Sequence, residues 1–332
     1  MLAGLVGIVV AAGLLSSGVE GSWAQSSLVL VLLAGSAAWL CGRIAVGWLP
    51  SPEPTLLIWT AALAAAALSA LLLPSPPQDR PAWIAAAAGL SFFPLVSVID
   101  VESREKLDRV LRIAAWMLVL LAVYQRLHGG LHPQSILWNK NALAAAILLL
   151  LPFAISAEKA FLAAGLLVCL WGTRSVGAWL GLSAALLIHR RAVGAIAFWS
   201  GAAAGFIGLI VVYAKLQSLE VLERLEWWRE LWRMIVAAPW LGLGLGLWLA
   251  GLAVLLKPGP ASRRFGPIAV LIYGLVDHAL SMPSVFWLFC VSTALAVPAS
   301  GLSLNIPSRH RALLCALVVA LSSAAGFLVW RQ

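Results

Sequence analysis

The chain has 332 residues, of which 62% are hydrophobic and 11% charged, with a formal net charge of +9. A mean hydropathy of +0.98 lies far from the roughly half-apolar, quarter-charged balance of soluble domains, so lipid is the predicted solvent for most of the chain. Its Lys and Arg residues are spread over short loops rather than gathered in a stripe, which argues against a nucleic-acid surface and fits control of orientation across a bilayer.

Met1 to Leu15 is apolar, lacks a basic segment before it and is soon followed by further apolar runs, so it reads as a first span rather than a cleaved signal. Runs of spanning or near-spanning length continue at about 26–49, 55–73, 82–99, 111–127, 141–157, 160–172, 175–189, 193–214, 240–256, 265–281, 284–298 and 311–330. The expected fold is all-α: a polytopic transmembrane helical bundle of about 11 to 13 spans, one domain covering residues 1–332. The range reflects the runs Leu162–Trp171 and Val176–Ile188, which are shorter than the roughly 20 residues of a straight span and read as tilted, re-entrant or paired helices. Seventeen Trp against three Tyr suit anchoring at the headgroup level, where an indole ring stays apolar while its N–H finds a partner.

Arg104, Lys106, Arg109 and Arg112, then Arg190 and Arg191, then Lys257, Arg263 and Arg264, and finally Arg309 and Arg311 all alternate onto one side. The positive-inside rule makes that side cytoplasmic, with the N-terminus inside. The other side then carries the segment from Arg126 to Lys140, the turn at Arg174, the stretch from Lys215 to Ala238, and Asp277 with His278. Within that stretch, residues 217–238 place Trp227, Trp228, Leu231, Trp232 and Ile235 at helical spacing among mixed charges, and read as an extracytoplasmic amphipathic helix lying along the interface. Cys41, Cys169, Cys290 and Cys315 lie in or beside apolar runs and form no CxxC pair, so they read as small buried hydrophobes. No cluster of His, Cys and carboxylates has metal-ligand spacing, and no metal or cofactor is expected.

A charged residue inside or at the edge of a membrane is costly and needs a partner, water or substrate. Arg174 sits in a turn so short that its guanidinium either snorkels to the headgroups or points into a cavity. Arg224, in RLEWWRELWRMIVAAPWLGLGLG, is either a solvated charge paired with Glu220 or a ligand-binding group, and the glycines that follow suit close helix packing rather than a nucleotide loop. Asn139, Lys140 and Asn141 precede ALAAAILLLLPFA, where Asn139 reads as a helix N-cap and Lys140 as an interfacial anchor unless they serve a site. Asp277 and His278, late in a span, are either a structural intramembrane pair or functional.

From Ser135 to Val297 these segments resemble the O-antigen ligase and polymerase superfamily of bacterial membrane glycosyltransferases. The resemblance is carried by NKNALAAAILLLLP, by GTRSVGAWLGL, by the R-x3-W-x10-P pattern of Arg224, Trp228 and Pro239 followed by GLGLG, and by Asp277, Leu280 and Pro283. It implies a glycosyltransferase-C-like ligase architecture in the bacterial inner membrane. It also implies transfer of a polyprenyl-diphosphate-linked glycan to an acceptor hydroxyl at the outer face, without a metal. Arg174 and Arg224 would hold the diphosphate, aided by Lys140, with Asn139, Asn141 and Trp228 nearby. A guanidinium fork matches phosphate oxygens and stabilises the charge of the leaving pyrophosphate.

The chain departs from the family where Gly246 runs directly into Leu247 to Leu256, leaving no large outer loop to carry the usual histidine, and at Val176, where many relatives place an arginine. His278, with Asp277, is the candidate for the missing catalytic base. The resemblance implies membrane lipids and partner membrane proteins of cell-envelope polysaccharide assembly as companions. Two other classes stand beside the enzyme. One is a non-catalytic lipid-glycan binding or scaffold subunit; the other is a small-solute transporter, for which no pair of broken helices in matching halves is visible.

Overall fold

The computed structural model describes residues 2–16, 22–50, 88–89, 91–92, 95–128, 139–156, 160–188, 226, 229, 261–274, 283–297 and 303–330. These residues are overwhelmingly helical: α1 (Leu2–Ser16), α2 (Ser22–Val46), α3 (Val101–Leu127), α4 (Lys140–Ser156), α5 (Ala160–Thr173), α6 (Val176–Ile188), α7 (Ala261–Gly274), α8 (Pro283–Leu295) and α9 (Ser308–Trp330). The fold is all-α, as composition predicts. Ser26–Val46 within α2 is long and apolar enough to cross a membrane, and Leu2–Leu14, Lys140–Ile155, Ala160–Thr173, Val176–Ile188 and Ser284–Leu295 are apolar helices of 10–17 residues. The expected runs at 55–73, 193–214 and 240–256 lie outside the described residues, as do half of 82–99 and nearly all of the amphipathic helix at 217–238, of which Glu226 and Arg229 are helical and exposed.

One helix organises the rest. α4 is apolar all round, and Ala142 to Leu151 are each no more than 2% exposed, as expected for a helix with neighbours on every side. Those neighbours are α3, α5, α6, α7 and α8. Close approach is made by small residues: a Cβ on Gly266 of α7 would come within 2.7 Å of the Leu148 carbonyl and Pro152 of α4, and one on Gly181 of α6 would strike the Ala269 carbonyl of α7. The backbones come near enough to pack because these positions carry no side chain. A second layer pairs α1 with α2 and α3, and α2 with α9.

Several helices also turn large apolar side chains outward. Ile113, Trp116 and Leu120 of α3, Phe161 and Val168 of α5, and Leu313, Leu317, Val319 and Leu321 of α9 are all exposed.

Two features differ from the sequence expectation. α3 begins ten residues before the apolar run at 111, because Leu107, Asp108, Leu111, Ala114, Ala115 and Leu118 already form one buried helical face. The chain also leaves α2 at Gly47, whose φ of 86° is the left-handed region glycine tolerates, and enters a three-residue strand. There β1 (Trp48–Pro50) pairs antiparallel with β2 (Ser303–Asn305), tying the end of α2 to the start of α9. Arg311 occupies the space a Gly47 side chain would need. Cys41 and Cys315 face each other on these helices, each Sγ lying 3.7–3.8 Å from the other's carbonyl. Both are half-buried, whereas Cys169 and Cys290 are fully buried.

Candidate functional site

The helices bring charged groups together at two opposite ends. At the first, Arg104 of α3 donates from Nη1 to the Val297 carbonyl at 2.6 Å and from Nη2 to the Ser97 and Val96 carbonyls at 3.0 and 3.4 Å. The N–H groups of Ala296 and Val297 close the last turn of α8 on the carbonyls of Ser292, Thr293 and Ala294, and Arg104 bonds the carbonyl just beyond, so a cation meets the negative end of a helix. Arg263 of α7 reaches Asp108 of α3 at 2.6 Å, and Arg311 bonds the carbonyls of Ala45 and Ile306, both at 3.1 Å. Burial pushes the Asp108 carboxyl up from its ordinary pKa, while Arg263, Arg112 and Arg104 pull it down. The neighbouring Asp100 is held below its ordinary value first by a hydrogen bond from Ser103, with a smaller contribution from Arg43 of α2. Arg43 itself lies over the Trp48 ring, 4.6 Å from its centroid. Arg104, Arg263 and Arg311, expected on one side, are thus all bonded into this end.

At the opposite end the α5–α6 turn is Thr173, Arg174 and Ser175. The Thr173 hydroxyl donates to the Leu170 carbonyl at 2.7 Å and accepts from Ser175 N–H at 3.3 Å, closing the turn locally. Arg174 between them takes φ 53°, the one non-glycine residue with positive φ among the described residues. Placing a side chain there costs about 1 kcal/mol or more relative to glycine. Trp171 and Trp179 bracket the turn edge to face, with ring centroids 6.1 Å apart.

The turn is fixed to two other helices by a buried polar chain. The Ser175 hydroxyl donates to the Tyr273 oxygen at 3.0 Å, and the Tyr273 hydroxyl donates to the Asn141 carbonyl at 3.3 Å. Asn139 caps α4: its Oδ1 accepts from the N–H groups of Asn141 at 2.8 Å and Ala142 at 3.4 Å. The NKN and TRS segments, separate in sequence, therefore meet at one end through Tyr273 of α7. Asn139 plays the capping role open to it in the sequence, and Lys140 opens α4 half-exposed.

Arg174 and Arg126 line a pocket of about 370 Å³, together with Ala122, Val123 and Leu127 of α3 and Val168, Cys169, Trp171 and Gly172 of α5. Sequence reasoning treats Arg126 only as the start of an outer segment, since nothing local predicts that α3 lies beside α5. Just beyond it, His128 ends α3, its Nδ1–H donating to the Tyr124 carbonyl at 2.9 Å. Arg224, Trp228, Asp277 and His278 lie outside the described residues. Among the described residues no group of three His, Cys, Asp or Glu side chains is placed to hold a metal.

Fold and site together define an all-helical bundle with an arginine-lined pocket at one end. No protein-family model, curated protein or solved structure matches the chain.

Proposed function

We propose that the chain is a polytopic membrane protein of about 11 to 13 spans that holds a polyprenyl-diphosphate-linked glycan at the outer face of a bacterial inner membrane and transfers it to an acceptor hydroxyl. The observation that carries this reading is Arg174, held at φ 53° in a turn where glycine is cheaper, with its side chain on the pocket. Strain persists where surroundings over-determine it and where function uses it. The apolar outer face of α3, α5 and α9 supports a lipid environment, and the resemblance of the NKN, TRS and Arg224 segments supports the substrate class.

In the proposed reaction the acceptor oxygen attacks the anomeric carbon, the bond from that carbon to the diphosphate oxygen breaks, and polyprenyl diphosphate leaves. Arg174 and Arg224 stabilise the negative charge that grows on the departing oxygens. The acceptor proton passes to a base, for which His278 with Asp277 is the proposal.

A second reading, a subunit that binds the lipid-linked glycan without transferring it, is favoured by the pocket lining, which among the described residues holds two arginines and no carboxylate or histidine. Purified full-length protein in liposomes, given polyprenyl-diphosphate-linked glycan and acceptor, separates the two. Release of free polyprenyl diphosphate that is lost in both Arg174→Ala and Arg224→Ala supports the transferase. Binding that needs those arginines but never turns over supports the subunit, and wild-type turnover in Arg174→Ala would sink the role of Arg174.

A further inference from the structure

Of the four cysteines in the chain, Cys41 and Cys315 are half-buried and face each other across α2 and α9. Contacts along the two helices set their register. Arg311 donates to the Ala45 carbonyl at 3.1 Å. One turn further into each helix, the Cys41 thiol donates to the Cys315 carbonyl at 3.8 Å and the Cys315 thiol to the Cys41 carbonyl at 3.7 Å. Further along, a Cβ on Gly326 would sit 3.5 Å from the Leu30 side chain. The same antiparallel register therefore runs from Ala45 back to Leu30, and the β1–β2 ladder closes its end. Each thiol reaches the other's backbone carbonyl only because the two backbones approach closely. Close approach is the first requirement of a disulfide, whose Cα atoms stand roughly 4.4–6.8 Å apart.

α9 is also the helix that gains most from such a link. It packs chiefly on α2, while Leu313, Leu317, Val319 and Leu321 are exposed, so it is a peripheral element with one main neighbour, the kind that opens at low cost. We propose that Cys41 and Cys315 are a modification site, oxidised by a small-molecule disulfide to a bond that staples α9 to α2. In the first step one cysteine thiolate attacks a sulfur of the small disulfide, forming a mixed disulfide and releasing one thiol. In the second, the other cysteine's thiolate attacks the protein sulfur of that mixed disulfide, closes the Cys41–Cys315 bond and releases the second thiol. Two protein thiols are oxidised, one small disulfide is reduced to two thiols, and the two protein protons end on the released thiols. Half-burial leaves the pair within reach of such a reagent, whereas Cys169 and Cys290 are buried and stay as thiols. On the cytoplasmic side, where the charge pattern predicts this end to lie, thiols are ordinarily kept reduced, so the link is a response to oxidation rather than a permanent bond. The proposal is independent of the reading of Arg174. A packing-only account exists, in which two S–H donors simply satisfy themselves on carbonyls, and it predicts no link under oxidation.

The test uses full-length protein in phosphatidylcholine nanodiscs, equilibrated with reduced and oxidised glutathione at a series of ratios. The protein is then blocked with N-ethylmaleimide in denaturant, digested and analysed by mass spectrometry. Wild type should yield peptides joined through Cys41 and Cys315 and separated again by dithiothreitol, with Cys169 and Cys290 recovered as N-ethylmaleimide adducts. Cys315→Ser should instead hold glutathione on Cys41, because the second thiol is absent; Cys315→Ala serves if the serine variant does not fold. Hydrogen exchange of the α9 amides should slow about tenfold or more in the linked protein and stay unchanged in Cys315→Ser treated the same way. Glutathione adducts on both cysteines of wild type without a link, no reaction at either, or a link between two molecules overturns the pair. A link that leaves exchange in α9 unchanged overturns the staple while sparing the pair.

Discussion

The two ends of the bundle use arginine differently. At one end, Arg104, Arg263 and Arg311 are each bonded within the fold, on backbone carbonyls or on Asp108. At the other end, Arg174 has no protein partner for its guanidinium among the described residues, and it lines a pocket. The first end resembles a structural clasp, closing helix C-termini with positive charge where the dipoles favour it. At the second, the Arg174 guanidinium has no such role among the described residues. Basic residues of similar sequence context can therefore be told apart by what they already bond.

Breaking the clasp should give the largest effect on stability. Removing one partner of a largely buried ion pair leaves the other charge uncompensated, so Asp108→Asn or Arg263→Gln should destabilise by about 3 kcal/mol, at the low end for buried pairs because Arg263 is partly exposed. Thermal unfolding of detergent-purified protein, followed by size exclusion, checks this. Ligand binding by the surviving folded fraction should stay at the wild-type level, and a loss of binding there would mean that the two ends are not separate. A smaller effect is expected at the other end for Tyr273→Phe. The lost hydroxyl leaves the Asn141 carbonyl and the Ser175 hydroxyl without it, at a cost of about 1–2 kcal/mol. Because Tyr273 holds the turn rather than the ligand, the dissociation constant should rise while the number of bound ligands stays the same.

Much of the helical layout is legible in the apolar runs. α4, α5, α6 and α9 begin and end within about three residues of the runs that predict them, because those helices are apolar beyond their first turn. α3 is less legible, since its first turns are amphipathic and a hydropathy reading marks only the stretch fit for lipid. The β1–β2 ladder is invisible because three-residue strands carry no period. An apolar run also hides the difference between α4, buried on all sides, and α9, exposed along much of its length; what surrounds a helix is a tertiary fact. In the site, Arg174 and the cap at Asn139 are readable from turn chemistry. Arg126 and Tyr273 are not, because each matters only through a helix distant in sequence.

The central claim is that Arg174 is kept in a strained turn for the sake of a ligand, and Arg174→Gly tests it most directly. Unfolding free energy is measured for wild type and variant, each with and without polyprenyl diphosphate. Without ligand the variant should be more stable by about 1 kcal/mol, the relief of a positive φ. With ligand at about 100 times the wild-type dissociation constant, wild type should gain about 2.7 kcal/mol and the variant little, so that their order reverses. A variant that is no more stable than wild type without ligand, or that gains as much from it, would contradict the account.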